Sequence, residues 1–298
     1  MRTVSVLYTK PERVGSKTVC PMKKVCFVFA LLLVGSVASA QTRMVRLTRY
    51  EGWPITGVSA SGAFDAFDVW LIRSDETRAV VEINEQLEPM LRFEIDSCGV
   101  VHVGMDGIRG DIHDVRWRLY LYLNDLTYIR ASGASDVDCV GLFESGDVRI
   151  ELGGASDLRG LELAAAGVVS IEARESSDID ASVRCRELNG TFSGASDAVL
   201  SGFSGNLYCN LSGDSDMKVS GTAGIVSVKC SGVSDFDGAG LVTQSCRAEA
   251  SAASRIALGP VEKELSANSS GVSSITYRGN PSLGSVVHSS TSSVRQVH

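Results

Sequence analysis

The pentapeptide Ser132-Gly133-Ala134-Ser135-Asp136 decides the fold, because recognisable copies of it return through the rest of the 298-residue chain. The position of its aspartate, called the slot here, recurs at intervals of 19 to 21 residues. A unit this short cannot enclose a core of its own, so successive units must stack on one another. The slots are Asp136, Asp157, Asp178, Asp197, Asp216, Asp235, Arg255, Ser274 and Ser293.

Apolar residues hold fixed positions around each slot. In the unit that ends at Asp216 they are Leu207, Cys209 and Leu211 before the slot and Met217 after it, with polar residues between. Alternation with a period of two is typical of a strand with one buried face. The pattern predicts an all-β fold: residues 126–298 form a parallel β-helix-like solenoid of 19–21-residue coils, with like residues about 4.8 Å apart in successive coils.

Residues 41–125 show no obvious copy of the repeat but alternate in the same way, for example over 79–84, 100–105 and 115–123. Turn-forming residues separate these runs, which is typical of strands joined by tight turns. We expect a small antiparallel β region that caps the solenoid, since an uncovered end would present unpaired backbone groups.

The start of the chain has the features of an export signal. Met22-Lys23-Lys24 precedes an apolar run over 25–37, and Ala38-Ser39-Ala40 follows it. This order of basic, apolar and small residues predicts a secretory signal peptide in residues 1–40, with translation starting at Met22. The run is too short for a comfortable membrane span, and no later segment resembles one. We therefore expect an exported protein, located in the periplasm, on the outer cell surface or in the medium.

Charge limits the classes of partner. The chain has 28 basic and 35 acidic residues, a net charge of -7, and beyond residue 40 the counts are 22 and 34, a net charge of -12. An acidic protein with few aromatic residues is a poor match for nucleic acid or an anionic membrane.

Six cysteines remain beyond residue 40. Three of them, Cys209, Cys230 and Cys246, fall at inward positions of successive coils, offset by one coil and two residues. That offset separates Cα atoms by roughly 8 Å, beyond the usual disulfide limit of about 7 Å. We expect buried, unbridged thiols. The sequence has no C-x-x-C spacing, so a zinc site is not expected.

The slot carboxylates are the sharpest chemical feature of the repeat. Neighbouring carboxylates about 5 Å apart repel by about 0.8 kcal/mol in water. The favoured interpretation is that each Asp and its Ser accept hydrogen bonds from turn N–H groups and face solvent, with no cofactor or metal. The alternative is a calcium-binding ladder, since Ca²⁺ takes several carboxylate oxygens. The six carboxylates are Asp136, Asp157, Asp178, Asp197, Asp216 and Asp235.

Aromatic residues of the opening region offer a second kind of site. Trp53, Tyr120 and Tyr122 are candidate ligand-binding residues, since aromatic rings stack on sugars and anchor protein partners. The other interpretation is that most rings of this region fill the sheet core.

Catalysis is not expected. The histidines beyond residue 40, His102, His113, His288 and His298, form no recognisable pairing with a nucleophile. Acid and base carboxylates need unlike environments, whereas a repeat gives each Asp nearly the same one. A polysaccharide lyase or hydrolase on a β-helix remains the enzymatic alternative.

The repeat and its close resemble the head GIN domain family over roughly residues 58–298. The resemblance rests on Phe64-Asp65-Ala66-Phe67, the serial Ser-Gly-x-Ser-Asp units and the segment from Ser270 to Pro281. Members carry the label "putative auto-transporter adhesin" and occur in bacteria such as Bacteroidetes. The resemblance implies a β-helix-like fold and a cell-envelope setting, with no catalytic residues to carry over. Two turns depart from the pattern by lacking glycine, at Glu175-Ser176-Ser177 and at 252–255.

Together these features predict a non-enzymatic, adhesin-like or ligand-binding protein whose solenoid is a rigid scaffold. Its partner would be a cell-surface glycan or an envelope protein. A purely structural envelope protein is a further alternative.

Overall fold

The computed structural model describes residues 43–62, 68–105 and 117–298. The predicted signal peptide, the segment 64–67 and His113 lie outside these ranges. Within them the chain forms a single 21-stranded sheet and one 3-10 turn, Glu88–Met90. The strands before the solenoid repeat are Met44–Arg49 (β1), Gly57–Gly62 (β2), Asp68–Arg73 (β3), Arg78–Asn84 (β4), Leu91–Ile95 (β5), Val100–Met105 (β6) and Trp117–Leu123 (β7).

The strands of the repeat follow in chain order. They are Tyr128–Gly133 (β8), Asp136–Val140 (β9), Leu142–Ser145 (β10), Val148–Leu152 (β11), Asp157–Ala165 (β12), Val168–Ala173 (β13), Asp178–Phe192 (β14), Asp197–Leu211 (β15), Asp216–Cys230 (β16), Asp235–Ala250 (β17), Arg255–Ser269 (β18), Ser274–Arg278 (β19), Ser282–His288 (β20) and Ser293–Gln296 (β21).

The predicted solenoid is confirmed by the parallel pairing of successive coils. Leu207 pairs with Val226, Val226 with Cys246, and Cys246 with Leu265, so like positions of the repeat lie in one column. All four side chains are buried. The repeat length therefore equals one circuit around a shared apolar core.

The turn before each slot stacks directly on the turn of the preceding coil. Gly213 has φ 79°, and a Cβ on it would lie 2.6 Å from the Gly194 carbonyl oxygen. Glycine suits this left-handed, crowded position. Glu175 and Ala252 nevertheless keep the same conformation, with φ 65° and 58°. The two departures from the family pattern thus change the residue and leave the turn intact.

The inward cysteines are buried and free, as predicted. Cys209 pairs with Val228, and Cys230 pairs with Leu211 and Ala250, so no two cysteines share a column in adjacent coils. Burial raises the pKa of the Cys230 and Cys246 thiols to about 12, which keeps them protonated. They act as small apolar side chains.

The opening region contains the expected antiparallel strands. β1 pairs with β4, β4 with β7, and β5 with β6, all antiparallel. These strands border the first coils and cover the edge that the stack would otherwise expose.

Two further coils lie within this region, and the sequence analysis missed them. β2 runs parallel to β8 and pairs Gly62 with Gly133, while β3 runs parallel to β9 and pairs Asp68 with Asp136. β6 and β7 pair in parallel with β2 and β3 and form the coil beyond. The coil predicted to be first, from residue 126, is therefore the third in the stack.

In the described residues, no helix is both long enough and apolar enough to cross a bilayer.

Candidate functional site

The slot aspartates form one straight row on the outer face of the sheet that begins at each slot. Asp157, Asp178, Asp197, Asp216 and Asp235 pair one with the next in exact parallel register. Each coil contributes one carboxylate at the same position, so the carboxylates form a row. Neighbouring carboxylates in this row are therefore separated by the distance between adjacent strands.

The serine before each slot points the other way, into the molecule. Ser215 and Ser234 are fully buried, and each hydroxyl donates to the carbonyl oxygen three residues earlier, at 3.0 and 2.9 Å. Each also lies 3.4 Å from a carbonyl oxygen of the preceding coil. The prediction that Ser and Asp both face solvent is therefore wrong for the serine, which is buried at every slot. In these two coils its hydroxyl satisfies a buried turn carbonyl, whereas the buried Ser196 hydroxyl has no hydrogen-bond partner within the described residues.

Basic residues neutralise the ends of the aspartate row. The Arg159 guanidinium lies 3.0 Å from Asp136 and also contacts Asp157, while Arg255 lies 3.1 Å from Asp235. In the described part of the chain, the three slot aspartates between these ends have no basic partner; they are Asp178, Asp197 and Asp216. The centre of the row is thus a stripe of uncompensated negative charge.

This arrangement raises carboxyl pKa values. Burial raises the pKa of Asp197, and the charges of Asp178 and Asp216 raise it further. Burial also raises the pKa of Asp157, where Arg159 opposes the effect of the neighbouring aspartates. Within residues 43–62, 68–105 and 117–298, no group of three or more His, Cys, Asp or Glu side chains is placed to hold a metal ion.

The aromatic residues of β3 and β7 form a strip beside the start of this row. Trp70 pairs with Tyr120 across the two strands, with ring centroids 5.0 Å apart and planes 21° from parallel. Tyr122 lies two residues further along, with the Arg78 guanidinium 3.9 Å from its ring centroid. All three rings are half-buried on the outer face. We call Trp70, Tyr120 and Tyr122 the aromatic strip.

Charged groups border the aromatic strip on one side. Asp68 on β3 extends the aspartate row beyond Asp136, with which it pairs on β9. On its other side Asp68 pairs with Arg118 on β7. Burial raises the pKa of Asp68, and Asp136 adds to this while Arg118 opposes it. Asp138 lies level with Trp70 on β9. The aromatic rings, three carboxylates and the Arg118 guanidinium thus lie on neighbouring strands of one face.

The aromatic candidates divide between the surface and the core. Tyr120 and Tyr122 lie on the outer face as expected from their alternation with buried Leu119, Leu121 and Leu123. Trp53 is 44% exposed and packs edge-to-face on Tyr50, within the antiparallel cap and outside the aromatic strip. Trp117 is buried, as the core interpretation requires.

His102 is bound into a turn. Its Nε2 atom lies 3.0 Å from Asp96, whose other oxygen accepts hydrogen bonds from the backbone N–H groups of Cys98 and Val100. Partial burial opposes ionisation of Asp96, but the hydrogen bonds from His102 and these N–H groups lower its pKa overall. Both side chains help to close the turn between β5 and β6.

The family model for "Putative auto-transporter adhesin, head GIN domain" matches residues 59–218 and 203–281. The chain belongs to the head GIN domain family. No curated protein matched the sequence.

Solved structures share the fold of this head GIN domain chain. A "putative adhesin" from Parabacteroides distasonis has a TM-score of 0.64 at 15% identity, covering 86% of this chain and 98% of that one. A "putative lipid binding protein" from the same species has a TM-score of 0.56 at 14% identity, covering 85% and 97%. A "putative adhesin" from Parabacteroides merdae has a TM-score of 0.54 at 17% identity, covering 87% and 98%. At these identities the likeness establishes the fold.

Sequence reasoning missed Asp68 and Arg118 as members of this surface, and it did not single out Trp70 from the other rings of the opening region. The available signal was an imperfect copy of the repeat, in which Ser61-Gly62-Ala63 takes the place of Ser132-Gly133-Ala134. The spacing of this copy puts Asp65 at the slot, whereas the pairing of β3 with β9 puts Asp68 there, so the copy indicates an earlier coil but not its register.

Proposed function

We propose that this head GIN domain chain is an exported, adhesin-like binding protein of the bacterial cell envelope. The solenoid is its rigid scaffold, and the aromatic strip is its contact surface for a cell-surface glycan or envelope protein. The observation that carries the proposal is the position of three half-buried rings on the outer face of the sheet, directly beside charged groups. The family description and the names of two structural neighbours support the adhesin-like role.

The aromatic strip has the composition of a binding surface. Trp and Tyr supply apolar area with few rotatable bonds, and adjacent carboxylates and guanidinium groups give hydrogen-bonding specificity. Ile72 and Val140 continue the apolar surface along the same row as Tyr122. Because β3 is paired on both sides, by β7 and β9, the surface is already formed before a ligand arrives.

Binding without a catalytic step distinguishes this proposal from its two alternatives. A carbohydrate-active enzyme would release new reducing ends or unsaturated products from a polysaccharide. A purely structural envelope protein would bind no ligand through the aromatic strip.

A glycan array and isolated bacterial envelopes, probed with the purified chain starting at Gln41, test the proposal. We expect binding that falls at least tenfold when Trp70→Leu and Tyr120→Leu are combined. Trp53→Leu is the matched control, because it removes an exposed tryptophan of the cap. Undiminished binding by a folded double variant, or product release from a bound polysaccharide, contradicts the proposal.

Export is tested separately in cells. If residues 1–40 are a signal peptide, mass spectrometry of the protein from the periplasm or medium finds Gln41 at the N-terminus. Retention of residues 25–37 in the exported form would contradict the predicted cleavage.

A further inference from the structure

A shallow groove crosses a second face of the solenoid, on the strand that precedes the Ser-Gly turn. It encloses about 300 Å³ over β13, β14 and β15. The outward residues of these strands pair in two rows, and their central members are uncharged. Ser170, Asn189 and Tyr208 form one row, and Glu172, Thr191 and Asn210 form the other.

Two charged residues, Arg149 of β11 and Glu172 of β13, line this groove, and both are ion-paired. Arg149 contacts Glu151, which accepts a hydrogen bond of 2.9 Å from Tyr128, and Glu172 contacts Arg174. Downstream of the groove, on β16 and β17, Glu249 lies 3.1 Å from Lys229 and 2.8 Å from Arg247. The charges in and beside the groove are therefore largely compensated within the protein, so the groove has little attraction for an ionic ligand.

The floor of the groove has hydrogen-bonding groups that the protein does not use. In the described residues, the side chains of Thr191, Tyr208 and Asn210 have no hydrogen-bond partner, and Asn189 uses one amide hydrogen, donated to Glu187 at 2.8 Å. Asn and Thr offer both donors and acceptors, and Tyr208 adds a half-buried ring. A ligand rich in uncharged hydroxyl groups matches this set.

The spacing of the coils also suits an extended glycan. Each coil presents the same two outward positions about 4.8 Å from those of its neighbour. This spacing is comparable with the length of one sugar residue in an extended glycan, so a chain lying across the coils would meet equivalent positions with successive sugars.

We infer that the groove over β13–β15 binds a segment of neutral polysaccharide that runs across the coils. Asn189 and Asn210 hydrogen-bond sugar hydroxyls, and the Tyr208 ring packs against a sugar ring. The groove lies on a different face from the aromatic strip, so the two sites can be tested independently.

Calorimetry with uncharged hexasaccharides, namely cellohexaose, laminarihexaose and mannohexaose, tests the inference. We expect at least one to bind, with affinity that rises from disaccharide to tetrasaccharide and changes little between 50 and 500 mM salt. Combining Asn189→Ala with Asn210→Ala should weaken binding at least tenfold. Asn268→Ala is the matched control, because Asn268 lies at the same outward repeat position on β18, beyond the groove.

The outcomes separate this inference from the proposed function. No binding of the three hexasaccharides, binding that the double variant leaves intact, or binding that salt abolishes overturns the groove. Loss of binding only with Trp70→Leu and Tyr120→Leu also overturns it, while supporting the aromatic strip. Thermal melts of both asparagine variants check folding, and no change is expected because these side chains are exposed.

Discussion

Glu175 occupies the same left-handed turn position in its coil as Gly194 does in the next, and its carbonyl oxygen accepts a 2.6 Å hydrogen bond from the Ala195 N–H group. A residue with a Cβ pays roughly 1–2 kcal/mol for this conformation, whereas glycine adopts it freely. The stack of turns therefore imposes the backbone on a residue that does not favour it.

Replacing Glu175 by glycine should stabilise the protein. Relief of the strained φ outweighs the extra freedom of glycine in the unfolded chain, and we expect a gain of about 1 kcal/mol in the free energy of unfolding. Urea unfolding of Glu175→Gly measures it, and Ala252→Gly should behave alike. Gly213→Ala is the opposite control and should destabilise, since its Cβ would meet the Gly194 carbonyl. A loss of stability in Glu175→Gly would refute the strain argument.

Removing one carboxylate from the centre of the aspartate row should raise stability at neutral pH. The folded state holds the Asp197 proton more tightly than the unfolded chain does, so ionisation of Asp197 disfavours folding. This penalty is complete above the raised pKa and disappears as pH falls toward 3.8, the ordinary value. Asp197→Asn should therefore melt higher than the parent at pH 7, with a difference that shrinks in that window.

Asp235→Asn is the matched control for this experiment, because Asp235 pairs with Arg255. Substitution of Asp235 removes an ion pair and should not raise the melting temperature at pH 7. Equal effects of the two substitutions would show that the neighbouring carboxylates add nothing to the effect of burial on the Asp197 pKa.

The cysteines should differ sharply in reactivity. Iodoacetamide at pH 8 should label exposed Cys98 in the native protein and spare Cys209, Cys230 and Cys246, which react only after unfolding. Mass mapping without reductant should find no bridge between Cys209 and Cys230. Detection of that bridge would refute the observed coil register.

Calcium should leave the melting temperature unchanged. If the aspartate row is a solvated feature of the turns, excess Ca²⁺ and excess chelator give the same thermal midpoint. A midpoint that rises with Ca²⁺ and no longer does so in Asp197→Asn would establish the calcium-ladder alternative, because ligands that bind the folded state stabilise it.

Part of the site could be predicted from the sequence and part could not. Period-two alternation put Tyr120 and Tyr122 opposite Leu119 and Leu121, because neighbouring residues of a strand point to opposite faces. The partner of Tyr120 could not be read in the same way. Trp70 lies 50 residues away along the chain, and only the pairing of β3 with β7 brings the two rings together.

The sequence by itself determined the solenoid, because a repeat length of 19 to 21 residues leaves one way to bury every inward residue from Val148 to Leu265, which is to stack each unit on the last. Only the tertiary structure decided the order of the first coils and the direction of the turn side chains. Strand pairing is specified by contacts between distant segments, so the imperfect repeat copy at Ser61-Gly62-Ala63 did not by itself place β3 between β7 and β9. The buried serine and the outward aspartate likewise follow from which turn carbonyls are left to satisfy once the coils are packed.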